Sequence, residues 1–275
     1  MLDPLLLAPG EGEVVADRPG RKVLIKCALD GVVVTESRLG GGEPGTAPHV
    51  HREHSDCFYV LEGEVTFEVG DGEIVHGHPG DFVLVPPNVV HCFRNDSTED
   101  MSYLNMHAPS CGFGEYMRGE AAGFDSFDPP DDGGLPTSLF LHSRAGEGRP
   151  LAVGQASALI KGGSDDGIGS LAALEMTIPP GYTGPPPHFH AETVESFFVV
   201  EGTMTLHFGE RTEAFPPGSF VALPPGVVHT SSNPREETVK ALDMLAPAGL
   251  ERLMAEAASG TSVAELAAGY DFHLA

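Results

Sequence analysis

The chain writes one long phrase twice. PHVHREHSDCFYVLEG (Pro48–Gly63) returns as PHFHAETVESFFVVEG (Pro187–Gly202), with His49 recurring as His188 and Asp56 as Glu195, each 139 residues further on. GDFVLVPPNVVHCFRN (Gly80–Asn95) returns as GSFVALPPGVVHTSSN (Gly218–Asn233), and Ala108-Pro109 as Ala246-Pro247, both shifted by 138. VLIK at Val23–Lys26 has a looser echo in ALIK at Ala158–Lys161. A repeat this long means two copies of a domain-sized unit, not a solenoid of short repeats. The 275 residues suffice for two modest cores. Between the copies FDSFDPPDDGGLP (Phe124–Pro136) is too rich in proline, glycine and acid to fold alone. The expected division is therefore a domain over residues 1–122, an acidic Pro/Gly linker over 123–136, and a second domain over 137–275 with a helical tail.

Within each copy the pattern has period two. CFYVLEGEVTFEVGDGEIV alternates β-branched and aromatic residues with polar ones and is broken by EG and GDG turns, which predicts strands and hairpins. Thirty-five glycines and 24 prolines suit many short strands and tight turns, so the fold class is all-β, a sandwich or a barrel. Helices are expected only after each copy's Ala-Pro pair and in the tail, around Leu250–Ala258 and Val263–Ala268.

A net charge of −25 leaves no cationic footprint for nucleic acid or an anionic membrane surface. No apolar run approaches the length of a bilayer span. The opening MLDPLLLAPG lacks the basic start and long apolar stretch of a secretion signal, so the expected location is the cytoplasm. Cys27, Cys57, Cys92 and Cys111 have no finger-like spacing and read as reduced, packed thiols.

The chemistry lies in the histidines. Residues i and i+2 of a strand share a face, so His49 and His51 project together, as do His188 and His190. Asp56 or Glu195 heads the next strand, and His91 or His229 follows a Pro-Pro turn some way downstream. Three imidazoles and one carboxylate suit a divalent transition metal, Fe, Mn, Ni, Cu or Zn, better than calcium or magnesium, which want oxygen ligands. The competing reading is a polar barrel whose histidines only hydrogen-bond one another. Asp56 is one methylene shorter than Glu195, a retreat of roughly 1.5 Å. Metal–oxygen bonds need about 2.0–2.2 Å, so either the backbone comes closer there or Asp56 stands behind the ligands as a base. Phe58 and Phe197, two residues beyond the acids, and Phe93 and Ser231, two beyond the third histidines, are the expected pocket walls. That pairing makes the first pocket the more aromatic and the second the more polar. His54, His76 and His78 are expected at the surface, and Arg52 and Arg94, each next to an inward residue, are expected to point outward.

These motifs resemble those of the cupins. The first cupin motif, HxH, four residues, an acid, then an aromatic-rich strand and Gly, appears as His49, His51, Asp56, Gly63 and as His188, His190, Glu195, Gly202. The second is intact as Gly218, Pro224, Gly226, His229, Asn233 and has one change as Gly80, Pro86, Asn88, His91, Asn95. Asn88 replaces a turn glycine, and asparagine tolerates the left-handed conformation better than most residues.

The resemblance implies a bicupin: two double-stranded β-helix (jelly-roll) barrels with short helices after each, and one divalent transition metal per barrel. Among cupins of this length and layout it points to the quercetin 2,3-dioxygenase-like proteins. The expectation that follows is an oxygenase acting, with dioxygen, on a small phenolic or enolisable substrate, with Asp56 or Glu195 serving as ligand and base. The alternatives are redox-neutral metal chemistry (isomerisation, cyclisation, decarboxylation) and a binding protein without turnover. Oxalate-type decarboxylation is disfavoured because no cationic clamp is apparent. Cupins often associate through sheet edges or swapped strands, and LLLAPG is a candidate segment for such a homodimer.

Overall fold

The computed structural model describes residues 3–275. It divides into two compact units, neither continuous in sequence. The first barrel holds 12–147 with 165–170, and the second holds the described residues up to Glu11, 148–164 and 171–275.

In the first barrel a seven-stranded sheet runs Leu141–Ser143, Phe82–Val85, Ser55–Glu62, Met101–Ala108, Val32–Leu39, Arg21–Leu29, Glu13–Arg18. A three-stranded sheet, Glu73–Gly77, Val65–Val69, His91–Arg94, completes it. The second barrel repeats both sheets. Its large sheet runs Leu5–Leu7, Phe220–Leu223, Val194–Glu201, Val239–Ala246, Ala172–Ile178, Ala156–Gly162, Arg149–Val153, and its small one Arg211–Phe215, Met204–Phe208, Thr230–Ser232. Every pairing within these sheets is antiparallel.

The inward residues of each pair of sheets fill one core. Phe58, Val60, Val83 and Tyr103 of the large sheet meet Val65, Phe67 and Phe93 of the small one in the first barrel, and Phe197, Val199 and Val221 meet Met204, Leu206 and Phe208 in the second. This face-to-face packing is the sandwich that the period-two patterning predicts and the jelly roll that the resemblance implies. The helices fall where expected, at Phe113–Met117, Leu250–Ala258 and Val263–Leu266. None is long and apolar enough to cross a membrane. All four cysteines are free, three of them buried.

The unit boundaries differ from those drawn on the sequence. Leu5–Leu7 joins the second barrel, pairing with Phe220–Ala222, and Leu141–Ser143 joins the first, pairing with Phe82–Leu84. Each covers an edge that the other repeat leaves open, and an open strand edge is costly because its N–H and C=O groups lack partners. The LLL segment is thus engaged within its own chain. Nor is 123–136 a bare spacer: Val50 and Phe127 pair through both backbone N–H···O bonds.

Close backbone approach shapes both barrel mouths. A Cβ added at Gly45 would collide with the carbonyl of Phe93, and one at Gly184, whose φ is +80°, with the carbonyl of Ser231. Asn88 takes φ 64° where Gly226 takes 87°, so asparagine fills the left-handed turn position as expected. Gly184→Ala should cost about 1–3 kcal/mol, the usual scale for forced overpacking. It should lower the thermal unfolding midpoint, whereas Gly123→Ala, whose added carbon meets nothing within 4 Å, should leave it unchanged.

Candidate metal centres

Each barrel gathers its predicted ligands. His49, His51, Asp56 and His91 have ligand atoms all within 4.8 Å of one another, and so do His188, His190, Glu195 and His229. His49 and His91 are held by a reciprocal backbone bridge, as are His188 and His229. The acids are the second residues of the strands Ser55–Glu62 and Val194–Glu201, opposite Val85 and Leu223.

Every Nδ1 of these six histidines lies against a backbone carbonyl. His49 meets Ala47 O (2.8 Å), His91 Val89 O (2.9 Å), His188 Pro186 O (2.9 Å) and His229 Val227 O (2.9 Å). His51 meets Asp125 O and His190 meets Asp271 O, both at 2.6 Å. A carbonyl only accepts, so each Nδ1 carries the proton and each Nε2 presents a lone pair when the ring is neutral. Those lone pairs face a carboxylate: His190 Nε2 and His229 Nε2 stand 3.0 and 2.7 Å from Glu195 Oε2, and His51 Nε2 and His91 Nε2 stand 3.6 and 3.3 Å from Asp56 Oδ2. His51 Nε2 is buried without a hydrogen-bond partner. Only protons or a cation relieve such a convergence of lone pairs, and the imidazole-rich donor set fits a divalent transition metal.

The charges agree. Burial works against the Glu195 carboxylate, yet the charges and hydrogen bonds of His229 and His190 hold it well below the usual range. Asp56 is likewise held down against burial, first by the electrostatic influence of His107 and then by the nearby His51 and His91 rings. Burial pushes His49 and His188 down to about 4. Burial also opposes charge on His190, but the bond to Glu195 raises it.

Several residues that sequence reasoning did not single out hold the ligands in place. Asp125 accepts from the backbone N–H of Arg52 and Glu53 through its carboxylate while its carbonyl fixes His51. Asp271 does the same for Ala191, Glu192, Thr193 and His190. A short echo marks both, Gly123-Phe124-Asp125 and Gly269-Tyr270-Asp271. In the second barrel His273–Leu274 also pairs with His188–Phe189, and Phe272 stacks on the His188 ring at 4.2 Å.

The sites diverge around this frame. His54 is fully buried, not at the surface, because it bonds Asp125 Oδ2 (2.8 Å) through Nδ1 and His107 Nδ1 (2.8 Å) through Nε2. His107 continues to Asn105 Oδ1 (3.0 Å), and Asn105 donates to Asp56 Oδ1 and to Cys57 O (3.1 Å). The second barrel has Thr193, Leu245 and Asp243 at the matching positions. Asp243 is buried with its Oδ1 unpartnered, and burial together with the Glu195 charge pushes its carboxyl well above the usual range. His76 and His78 are exposed beside Glu64, as expected.

A cavity of about 440 Å³ opens on the first site and one of about 620 Å³ on the second. Phe93, Phe197 and Ser231 line them, but Phe58 lies beneath the first, packed on Phe67, Phe93 and Tyr103. The expected contrast in polarity reverses. Arg21, Thr35, Ser37 and Asn105 line the first cavity, whereas Met176, Ile178, Leu250, Leu253 and Met254 dominate the second. Arg94 does turn outward, to Glu68 and Asp96, and exposed Arg52 stacks on Phe127 at 3.8 Å.

Comparison with known proteins agrees with this geometry. The family model for the cupin domain matches twice, at residues 35–107 and 174–245. The chain belongs to the cupin family, as a bicupin. Over 96 residues it is 36% identical to quercetin 2,3-dioxygenase of Bacillus subtilis, a stretch covering 34% of this bicupin and 28% of that enzyme. The match therefore spans under a third of that relative's length. AerE of Microcystis aeruginosa superposes with a TM-score of 0.59 at 18% identity, covering 88% of the bicupin and 98% of AerE. A variant of oxalate decarboxylase from Bacillus subtilis superposes at 0.63 and 15%, covering 90% and 78%. At those identities the likeness shows the fold alone.

Two outcomes test the centres. Asp271→Ala keeps the carbonyl that holds His190 but removes the carboxylate that ties down Ala191–Thr193, and the loosened loop should weaken metal binding at the second site by roughly tenfold, the low end of the usual effect of losing support around a ligand. A chelator-competition titration should then show one weakened and one unchanged site. Secondly, His49, His188 and buried His54 are pushed down to about 4 from 6.5, mainly by burial. Between those values the unfolded chain binds protons that the folded one refuses, so stability falls as pH drops. His190 and Asp243, both raised, act in the opposite sense, and their share is lost only as pH rises through their folded values, while His107, lowered, adds to the decline. The unfolding midpoint of metal-free protein should therefore decline from about pH 6.5 towards 4, and a level midpoint across that window contradicts this account.

Proposed function

We propose that this bicupin is a metal-dependent oxygenase of a small phenolic or enolisable compound and that the second barrel is the reacting site. The observation that carries this reading is the cavity of about 620 Å³, walled by Met176, Ile178, Phe197, Leu253 and Phe272, that opens on His188, His190, Glu195 and His229. Its size lies within the range of small-molecule sites, and its walls suit an aromatic body better than a compact dianion. Among the described residues no lysine or arginine lines it. The partial similarity to quercetin 2,3-dioxygenase supports the same chemistry.

His188, His190 and His229 would hold the metal through Nε2, with Glu195 as the fourth ligand. A bound divalent ion would supply Lewis acidity and an open position for an oxygen donor. Glu195, held as carboxylate by its histidines, can take the proton of a phenolic or enolic hydroxyl at Oε2. Phe272 and the apolar wall keep water from the reacting face. The acid of the first barrel is less free to act so, because Asn105 and three histidines surround Asp56.

One observation favours a second reading for the first barrel. Arg21 lines the cavity that holds His49 and Asp56, which provides the cationic group that the sequence did not reveal. Decarboxylation of a small carboxylate is the chemistry such a clamp suits.

Oxygen uptake by protein loaded separately with Fe, Mn, Ni, Cu and Zn, across flavonols and catechols, tests the leading reading. Turnover should fall at least 100-fold in His188→Ala and less than tenfold in His49→Ala. No uptake with any metal removes the oxygenase, and equal losses remove the division between barrels. Oxalate-dependent CO₂ release that disappears in Arg21→Leu would instead favour the second reading.

A further inference from the structure

Asn105 and Asp243 occupy the same place in the two barrels. Asn105 pairs across the sheet with Phe58, and Asp243 with Phe197. Both lie diagonally across from the acid of their site, at a Cβ separation on the order of 7 Å. Asn105 is fully employed: its amide donates to Asp56 and Cys57, and its Oδ1 meets His107. Asp243 interrupts an otherwise apolar inward row, Val239, Ala241 and Leu245, and lines the second cavity. It is 2% exposed, and its Oδ1 has no hydrogen-bond partner.

A buried polar atom without a partner costs about 1–3 kcal/mol, and such atoms call for an explanation in each case. The remaining buried polar atoms of that cavity give none. Neither Tyr182 nor Ser231 leaves a buried side-chain oxygen unpartnered, and the ligand histidines and Glu195 converge on the metal position. Among the described residues lining the cavity, Asp243 Oδ1 is the one buried side-chain oxygen left open.

We propose that Asp243 is the polar anchor of the second barrel's ligand, accepting at Oδ1 a hydrogen bond from a ligand hydroxyl while a second oxygen of the same ligand reaches the His188–His190–Glu195–His229 cluster. The ligand class is an apolar, ring-bearing molecule with two oxygens on adjacent carbons, such as a hydroxyl beside a carbonyl or a second hydroxyl. This rests on the oxygenase reading of the same cavity and narrows it. A ligand without the hydroxyl leaves Oδ1 unpaired in an apolar wall, which discriminates more strongly than one extra methylene would.

The test compares 3-hydroxyflavone with flavone, which lacks the hydroxyl, by calorimetric titration of the full chain, metal-loaded and after chelation. Wild type should prefer the hydroxylated probe by roughly tenfold without metal, the scale of one buried hydrogen bond, and by more with metal. In Asp243→Leu the ratio should drop about tenfold under both conditions, while Asp243→Asn, which retains an acceptor oxygen, should keep most of it. If the leucine variant does not fold by circular dichroism, Asp243→Ala carries the same comparison. An unchanged ratio in the Leu or Ala variant overturns the anchor and leaves the oxygenase reading standing. Failure of 3-hydroxyflavone to bind wild type, with or without metal, overturns both.

Discussion

Each barrel is organised around one demand: several lone pairs must face the same point inside a buried space. Imidazole rings turn freely unless the second nitrogen is held, and here all six are held by carbonyls of the backbone. Four of those carbonyls lie two residues before the ring they hold, so the strand or turn bearing the histidine also aims it. The other two come from Asp125 and Asp271, far along the chain, whose carboxylates simultaneously tie down the loop between the histidine pair and the acid. The ligand geometry is thus set by main-chain hydrogen bonds, which a rigid sheet supplies without side-chain entropy.

Upon this shared frame the two centres have taken different surroundings. In the first, Asp125, His54, His107, Asn105 and Asp56 form a continuous hydrogen-bonded chain, and Arg21 stands at the cavity wall. In the second, Thr193 and Leu245 interrupt any such chain, and aliphatic side chains from Leu250–Ala258 close over the cavity. Buried networks of the first kind hold water and charge in fixed places. Apolar walls of the second kind leave binding to shape and to a few polar atoms. One duplicated fold can therefore present a polar and an apolar version of the same metal centre.

The eight ligand candidates were legible because their signal is local: a histidine pair at strand spacing, an acid heading the next strand, a histidine after a Pro-Pro turn. The repeat made the fold legible for the same reason. What escaped was carried by contacts that leave no local trace. Asp125 and Asp271 act largely through backbone groups, so only the short echo Gly-Phe/Tyr-Asp hints at them. His54 looked solvated because its neighbours Arg52 and Glu53 are, and its partners lie 53 and 71 residues away. Arg21 precedes the first motif altogether, in a strand whose register no short-range pattern reveals.

The exchange of edge strands has a temporal side. Leu5–Leu7 is synthesised more than 200 residues before Phe220–Ala222, the strand it pairs with, and synthesis proceeds at about 5–20 residues per second. An apolar strand with a bare hydrogen-bonding edge must therefore wait for many seconds, while the first barrel can already close on Leu141–Ser143. Leu5–Leu7 thus finds its place only once Phe220–Ala222 has been made, so closure of the second barrel's edge follows that of the first.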